Sequence, residues 1–176
     1  KQMQRRLEAD QRILQAEVTR RLPGALVITI QENVGIAAVP YFTGWLEVNR
    51  EGCVLSVTHQ FASLNLPIVV GLKPQVVTVG EKLDDELGWQ VASTCLTLLP
   101  PNLLEQISEI NVSNPESIVF YTRDPLRVMI GDCKNLTQKF NALSKMLDQI
   151  RTDHASSLQD GQVDVSSGRA VFIKKR

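Results

Sequence analysis

Residues 117–150 read SIVFYTRDPLRVMIGDCKNLTQKFNALSKMLDQI, and this stretch decides the fold class. Its first half holds two short runs, Ser117–Thr122 and Arg127–Ile130, rich in the β-branched and aromatic residues that suit extended strands. After Gly131-Asp132 the period changes. Leu136, Phe140, Leu143, Leu147 and Ile150 recur every three or four residues and make one apolar stripe along a helix. Strands followed by an amphipathic helix bury that stripe against the sheet.

Working toward the N-terminus, a strand is expected at Glu109–Val112, joined to the next by the turn Ser113-Asn114-Pro115-Glu116. Glu81–Leu99 reads as a second helix. Leu83, Leu87, Val91, Cys95 and Leu98 form its apolar face, Asp84, Asp85 and Glu86 its first turn, and Pro100-Pro101 its end. Leu66–Leu72 reads as extended, with Pro67 at its start or on an edge. Trp45–Val48 and Cys53–Leu55 read as a hairpin with Gly52 at a left-handed corner, and Ile36–Val39 as a short strand. Toward the C-terminus come a turn at Asp160-Gly161, a strand Val163–Val165, a turn Ser166-Ser167-Gly168 and a closing β-type run, Arg169–Lys174. Short turns between strands imply antiparallel pairing. The expected fold is therefore α+β: a mainly antiparallel sheet with helices packed on one face.

The first 33 residues have their own rhythm. Residues 1–10 read as the end of a helix, with Met3 and Leu7 on one face and Arg5 and Arg6 outward. The alternation from Leu14 to Thr19, the turn Leu22-Pro23-Gly24-Ala25 and the alternation of Leu26, Ile28 and Ile30 read as a hairpin. In that turn Pro23 fixes φ and Gly24 is expected to take positive φ. One helix and one hairpin are too small to bury a core, so their complement is expected upstream of Lys1, where the chain starts without Met.

Composition narrows the function. An apolar fraction of 43% allows a packed core, and 19 basic residues balance 19 acidic ones, so no net charge draws the 176-residue chain to nucleic acid. The nine aromatic residues do not interleave with basic ones as a base-stacking platform would require. No apolar run approaches the roughly 18 residues that span a bilayer, so any anchor would lie outside this chain. Cys53, Cys95 and Cys133 lie far apart without a C-x-x-C pair. They read as small buried hydrophobes, with a single bridge left open. His59 and His154 read as loop residues, and Asp84-Asp85-Glu86 as a solvated first turn before a cation site. No nucleophile elbow, zinc-binding helix, phosphate loop or dinucleotide fingerprint occurs. That absence tilts the reading toward a binding or scaffolding module.

Two features suit such a module. Arg169–Lys174 is a terminal strand and so a candidate sheet edge, whose unpaired backbone groups could accept another strand. From composition alone, the flanking Lys174, Lys175 and Arg176 read first as a guard against association. Arg20-Arg21 reads as solvated charge at a hairpin end before it reads as a docking patch.

The run RRLEADQRILQAEVTRRLPGALVITIQEN resembles the closing half of a POTRA domain of the FtsQ/DivIB bacterial cell-division proteins, with Val18, Arg20, Pro23, Leu26, Ile28, Ile30 and Glu32 at the matching positions. The turn before Gly52, the run Leu66–Leu72, the segment Ile130–Leu143 and VDVSSGRAVFI at 163–173 resemble, in order, that family's second, β-rich domain. Asn49 stands where the family often has an acidic turn residue. The resemblance implies the end of a POTRA domain at 1–33 and a β domain at 34–176. It also implies a non-catalytic divisome scaffold without cofactor or metal, anchored in the cell membrane by one upstream helix with this region outside the cytoplasm. The implied partners are proteins of the FtsB/DivIC and FtsL type, bound by strand addition at Ser167, Gly168, Arg169, Ala170, Val171, Phe172, Ile173 and Lys174. That implication reverses the composition-only reading of the last strand. A POTRA-bearing transport or outer-membrane assembly protein is the alternative, and an enzyme built on Asp84, Asp85 or His59 a third.

Overall fold

The computed structural model describes residues 2–61, 65–124, 126–153 and 161–174. Helix α1 (Gln2–Leu7) leads into β1 (Ile13–Arg21) and β2 (Ala25–Glu32), which pair antiparallel as a sheet of their own. Arg5, Arg6, Arg20 and Arg21 are exposed, and Ala16 is the one residue of this hairpin buried among those described. Leu14, Leu26, Val27, Ile28 and Ile30 stand exposed on it. The tip departs from expectation: the Leu22–Pro23 bond is cis, and Gly24 is absent from the left-handed positions.

The remaining strands are β3 (Gly35–Tyr41), β4 (Gly44–Asn49), β5 (Val54–Thr58), β6 (Ile68–Val70), β7 (Ile107–Asn111), β8 (Ile118–Thr122), β9 (Arg127–Gly131), β10 (Gly161–Asp164) and β11 (Val171–Lys174). They form one nine-stranded sheet in the order β11-β10-β9-β8-β7-β6-β3-β4-β5. Strands joined by short turns pair antiparallel, as expected from the sequence. Three contacts, β3 with β6, β6 with β7 and β9 with β10, are parallel. Parallel neighbours need a crossover. Helices α2 (Glu86–Leu98) and α3 (Pro101–Leu104) supply it between β6 and β7, and α4 (Leu136–Asp153) between β9 and β10.

The stripe on α4 is buried as its period requires: Leu136, Phe140, Leu143, Leu147 and Ile150 all face the core. Phe140 stacks at 6.0 Å from Phe120 of β8. On the sheet, Val39, Leu46, Val69, Ile110, Phe120, Val128, Ile130 and Val163 meet α2 and α4 in one continuous cluster. Each such side chain, fully buried, contributes about 2 kcal/mol.

Helix α2 departs from its expected start and face. It begins five residues later than Glu81, because Asp85 caps it: the carboxylate accepts from Gly88 N–H at 3.1 Å. Its buried residues are Trp89, Ala92, Cys95 and Leu96, whereas Leu87 is 79% exposed and Leu98 46% exposed. Trp89 sets this phase by donating its indole N–H to the Arg50 carbonyl and packing over Gly52. Gly52 does occupy the left-handed corner (φ +86°), and a Cβ there would lie 2.7 Å from the Trp89 ring. At the same turn buried Asn49 accepts from Cys53 N–H through Oδ1 and donates through Nδ2 to Asn33, tying the segment after β2 to the large sheet. A carboxylate could accept the first bond but not donate the second.

Candidate protein-binding edge

Strand β11 lies at the border of the large sheet. Its register pairs Val171 with Asp164, Phe172 with Val163 and Ile173 with Gln162 on β10, and no strand among the described residues lies on its other side. Lys175 and Arg176, the rest of the guard expected from composition, lie outside the described residues.

Which backbone groups are open follows from one hydrogen bond. Val165 N–H, just past the end of β10, donates to the Met129 carbonyl of β9 at 2.9 Å. Strand backbone groups alternate sides, so Val163 also faces β9 while Gln162 and Asp164 face β11. Their partners Val171 and Ile173 turn their N–H and C=O groups inward to β10, and Phe172 and Lys174 turn theirs to the open border.

Side chains sort the other way. Phe172 shares the face of buried Val163, is half-buried against the core and lies over Gly161, where a Cβ would come within 2.4 Å of its ring. Val171 and Ile173 project from the opposite face and are 53% and 46% exposed. Across that outer face Ile173 continues the row Tyr121, Arg127 and Gln162, and Val171 continues Val119, Met129 and Asp164. Arg127 donates to Gln162 Oε1 at 3.4 Å, and Gln162 donates to the Met129 sulphur at 2.9 Å.

Of the eight residues singled out in the sequence, Ser167 and Gly168 form the turn expected there, whereas Arg169 and Ala170, expected to open the strand, are not extended. Ser167, Gly168, Arg169 and Ala170 belong to the loop between β10 and β11, because Gly168 takes φ +82° and its N–H donates back to the Val165 carbonyl. Ser166 N–H caps the Asp164 carboxylate, and Ala170 packs against the core. Only Val171–Lys174 are extended. The reading of the sequence missed Tyr121, Arg127 and Met129. A signal was present in IVFYT, where Tyr121 falls out of phase with the buried Ile118 and Phe120.

The alternative sites resolve into structural roles. Asp84 precedes α2 rather than lying in its first turn, and its carboxylate accepts from Gln75 N–H and Val76 N–H at 2.9 and 3.1 Å. The Gln75 and Val76 amides hold this carboxyl below its ordinary value. Asp85 spans Gly88 and Lys73 N–H groups, so both carboxylates clamp the loop before the helix. His59 is exposed and contacts the Thr43 carbonyl at 3.3 Å, and His154 lies outside the described residues. Among the described residues no group of three or more His, Cys, Asp or Glu is placed to hold a metal, and no helix is long and apolar enough to cross a membrane.

Comparison with known proteins gives a consistent assignment. The family model described as "Cell division protein FtsQ/DivIB, C-terminal" matches residues 39–166, and "POTRA domain, FtsQ-type" matches residues 1–33. The chain belongs to the FtsQ/DivIB family of cell division proteins. It is 29% identical over 175 residues to the cell division protein DivIB of Staphylococcus aureus (strain MRSA252), covering 97% of this chain and 37% of that protein. It is 25% identical over 167 residues to DivIB of Clostridium tetani, covering 92% of this chain and 62% of that protein. The chain thus spans less than two thirds of these curated relatives. A solved structure, the major extracytoplasmic domain of the trans isomer of the bacterial cell division protein DivIB from Geobacillus stearothermophilus, aligns with a TM-score of 0.47 at 20% identity, covering 72% of this chain and 98% of that one.

Proposed function

We propose that this chain is a non-catalytic scaffold of the bacterial division machinery that recruits a partner protein by strand addition along β11. The observation that supports it is the open border of a terminal strand, with the backbone groups of Phe172 and Lys174 turned outward and the Val171 and Ile173 side chains half-exposed beside them. An added strand would satisfy the outward groups and cover those two side chains. In this reading residues 1–33 close a POTRA domain whose remaining part covers the exposed hairpin face, and residues 34–176 form the β domain. The partners are division proteins of the FtsB/DivIC and FtsL type. The protein is held in the cell membrane by one helix upstream, with this region on the extracytoplasmic side.

Site-specific cross-linking tests the proposal. A photoreactive residue replacing Val171 or Ile173 should capture the extracytoplasmic segment of the DivIC-type partner, and one replacing exposed Leu87 on α2 should not. Capture from Leu87 with none from Val171 or Ile173 would place the partner elsewhere.

A further inference from the structure

We infer that buried Lys139 is a positioning residue for the partner-binding border: its ammonium fixes the corner on which the β10–β11 turn rests, and so holds β11 in place before a partner arrives. The inference rests on the reading of β11 as the docking strand. Strand β11 has four residues and, among those described, one neighbouring strand, so its placement depends on the turn that leads into it. Within that turn Gly168 N–H returns to the Val165 carbonyl and Ser166 N–H to the Asp164 carboxylate. Two supports come from outside it. Ser166 sits against Gly131, where an added Cβ would lie 3.0 Å from the Ser166 Cβ and 3.9 Å from the Lys139 ammonium. Gly168 sits against Gln138 of α4, where a Cβ would lie 3.0 Å from the side-chain nitrogen.

Gly131 ends β9 at φ +74°, and Asp132 follows it. Lys139 binds that residue twice: its ammonium donates to the Asp132 carbonyl and to Asp132 Oδ1, both at 2.8 Å. Lys139 is only 3% exposed and adjoins Gln138 on α4. Consecutive residues of one helix thus hold the turn, Gln138 directly and Lys139 through the Gly131-Asp132 corner. Neither the helix nor the core gains from a lysine at this place. It lies near the positive end of the α4 dipole, and burying a cation costs desolvation that an apolar side chain of similar length would avoid. What the ammonium supplies is two directed bonds to one loop residue. A border already ordered spares an incoming strand the entropy of ordering it.

Amide hydrogen exchange on the chain without partner is the test. In Lys139→Met the Val171 and Ile173 amides, which face β10, should lose about tenfold in protection while the amides of β8, at the centre of the sheet, keep theirs. Asp132→Ala should show a smaller loss at the same two amides, and Asp132→Asn, which keeps both accepting oxygens, should restore the original protection. Titration with the extracytoplasmic segment of the DivIC-type partner should show affinity falling in step, by up to about tenfold in Lys139→Met. Full protection of β11 in Lys139→Met and Asp132→Ala would overturn the role of Lys139, and so would an equal loss across β8 and β11. Because the Asp132 side chain is 37% exposed, its two variants decide the matter even if Lys139→Met fails to fold. Lost protection with undiminished affinity would overturn the reading of β11 as the docking strand.

Discussion

Replacing Ile173 by Asp separates the border's role in binding from its role in folding. Ile173 is 46% exposed on the outer face, so about half of the 1.5–3 kcal/mol that a fully buried Ile contributes is already present in the free chain, and about half remains for a partner to supply. Ile173→Asp should therefore destabilise the chain by about 1 kcal/mol, lowering its thermal midpoint by about 2–4 °C. In the complex the loss is larger. The variant forgoes about 1 kcal/mol of new apolar burial and places a carboxylate without a partner between two strands, at about 2 kcal/mol more. A total of about 3 kcal/mol weakens binding by roughly a hundredfold. The assay is calorimetric titration with the extracytoplasmic segment of the DivIC-type partner, with a thermal melt of the variant alongside. A folded Ile173→Asp chain that binds within about threefold of the original would refute strand addition at this border. Two simpler substitutions discriminate less well. Phe172→Asp would strip a side chain packed against the core, and Val171→Pro would remove an N–H that faces β10, so both would disturb the chain's own hairpin.

Other outcomes follow from the packing. Phe140→Ala, at the centre of the α4 stripe and against Phe120, should cost about 3–5 kcal/mol in chemical denaturation. Gly52→Ala should destabilise by about 1–3 kcal/mol, since φ is +86° and a Cβ would meet Trp89 at 2.7 Å. Gly24→Ala meets nothing within 4 Å and has an ordinary φ, so the same assay should read no loss, or a gain of up to about 1 kcal/mol. The Asp132 carboxyl is held below its usual value of 3.8, chiefly by the Lys139 hydrogen bond, and Asp84 by the Gln75 and Val76 amides. A depressed folded value means that their stabilisation is fully present above pH 3.8 and is lost as the pH falls through the lower folded values. Asp132→Asn should accordingly flatten the acid limb of a melting-temperature profile below about pH 4 while leaving its direction unchanged.

Much of this architecture is legible in residue spacing. A five-residue stripe from Leu136 to Ile150 has one consistent phase, and the turns at Gly52 and Ser113–Glu116 carry residues whose backbone preferences leave few options. Helix α2 was less legible because Leu87 and Leu98 satisfy a helical period as well as Trp89 and Leu96 do. The Asp85 cap and the reach of Trp89 to Arg50, 39 positions away, select the phase. The parallel contacts were hidden for a related reason. Turn chemistry reports only on neighbours in sequence, whereas the crossovers bring β6 beside β3 and β10 beside β9.

Local pattern by itself determined the elements: which segments extend, which coil, and which residues of α4 turn inward, since each follows from periods of two or about 3.6 residues and from turn propensities. Tertiary structure alone decided that the last strand borders the sheet, that Phe172 and Lys174 direct their backbone outward while Val171 and Ile173 do not, and that Trp89 reaches the Arg50 carbonyl. Each of these depends on strand order, register or a contact across tens of residues. A one-residue slip in register would exchange the two faces of β11 without changing a letter of the sequence.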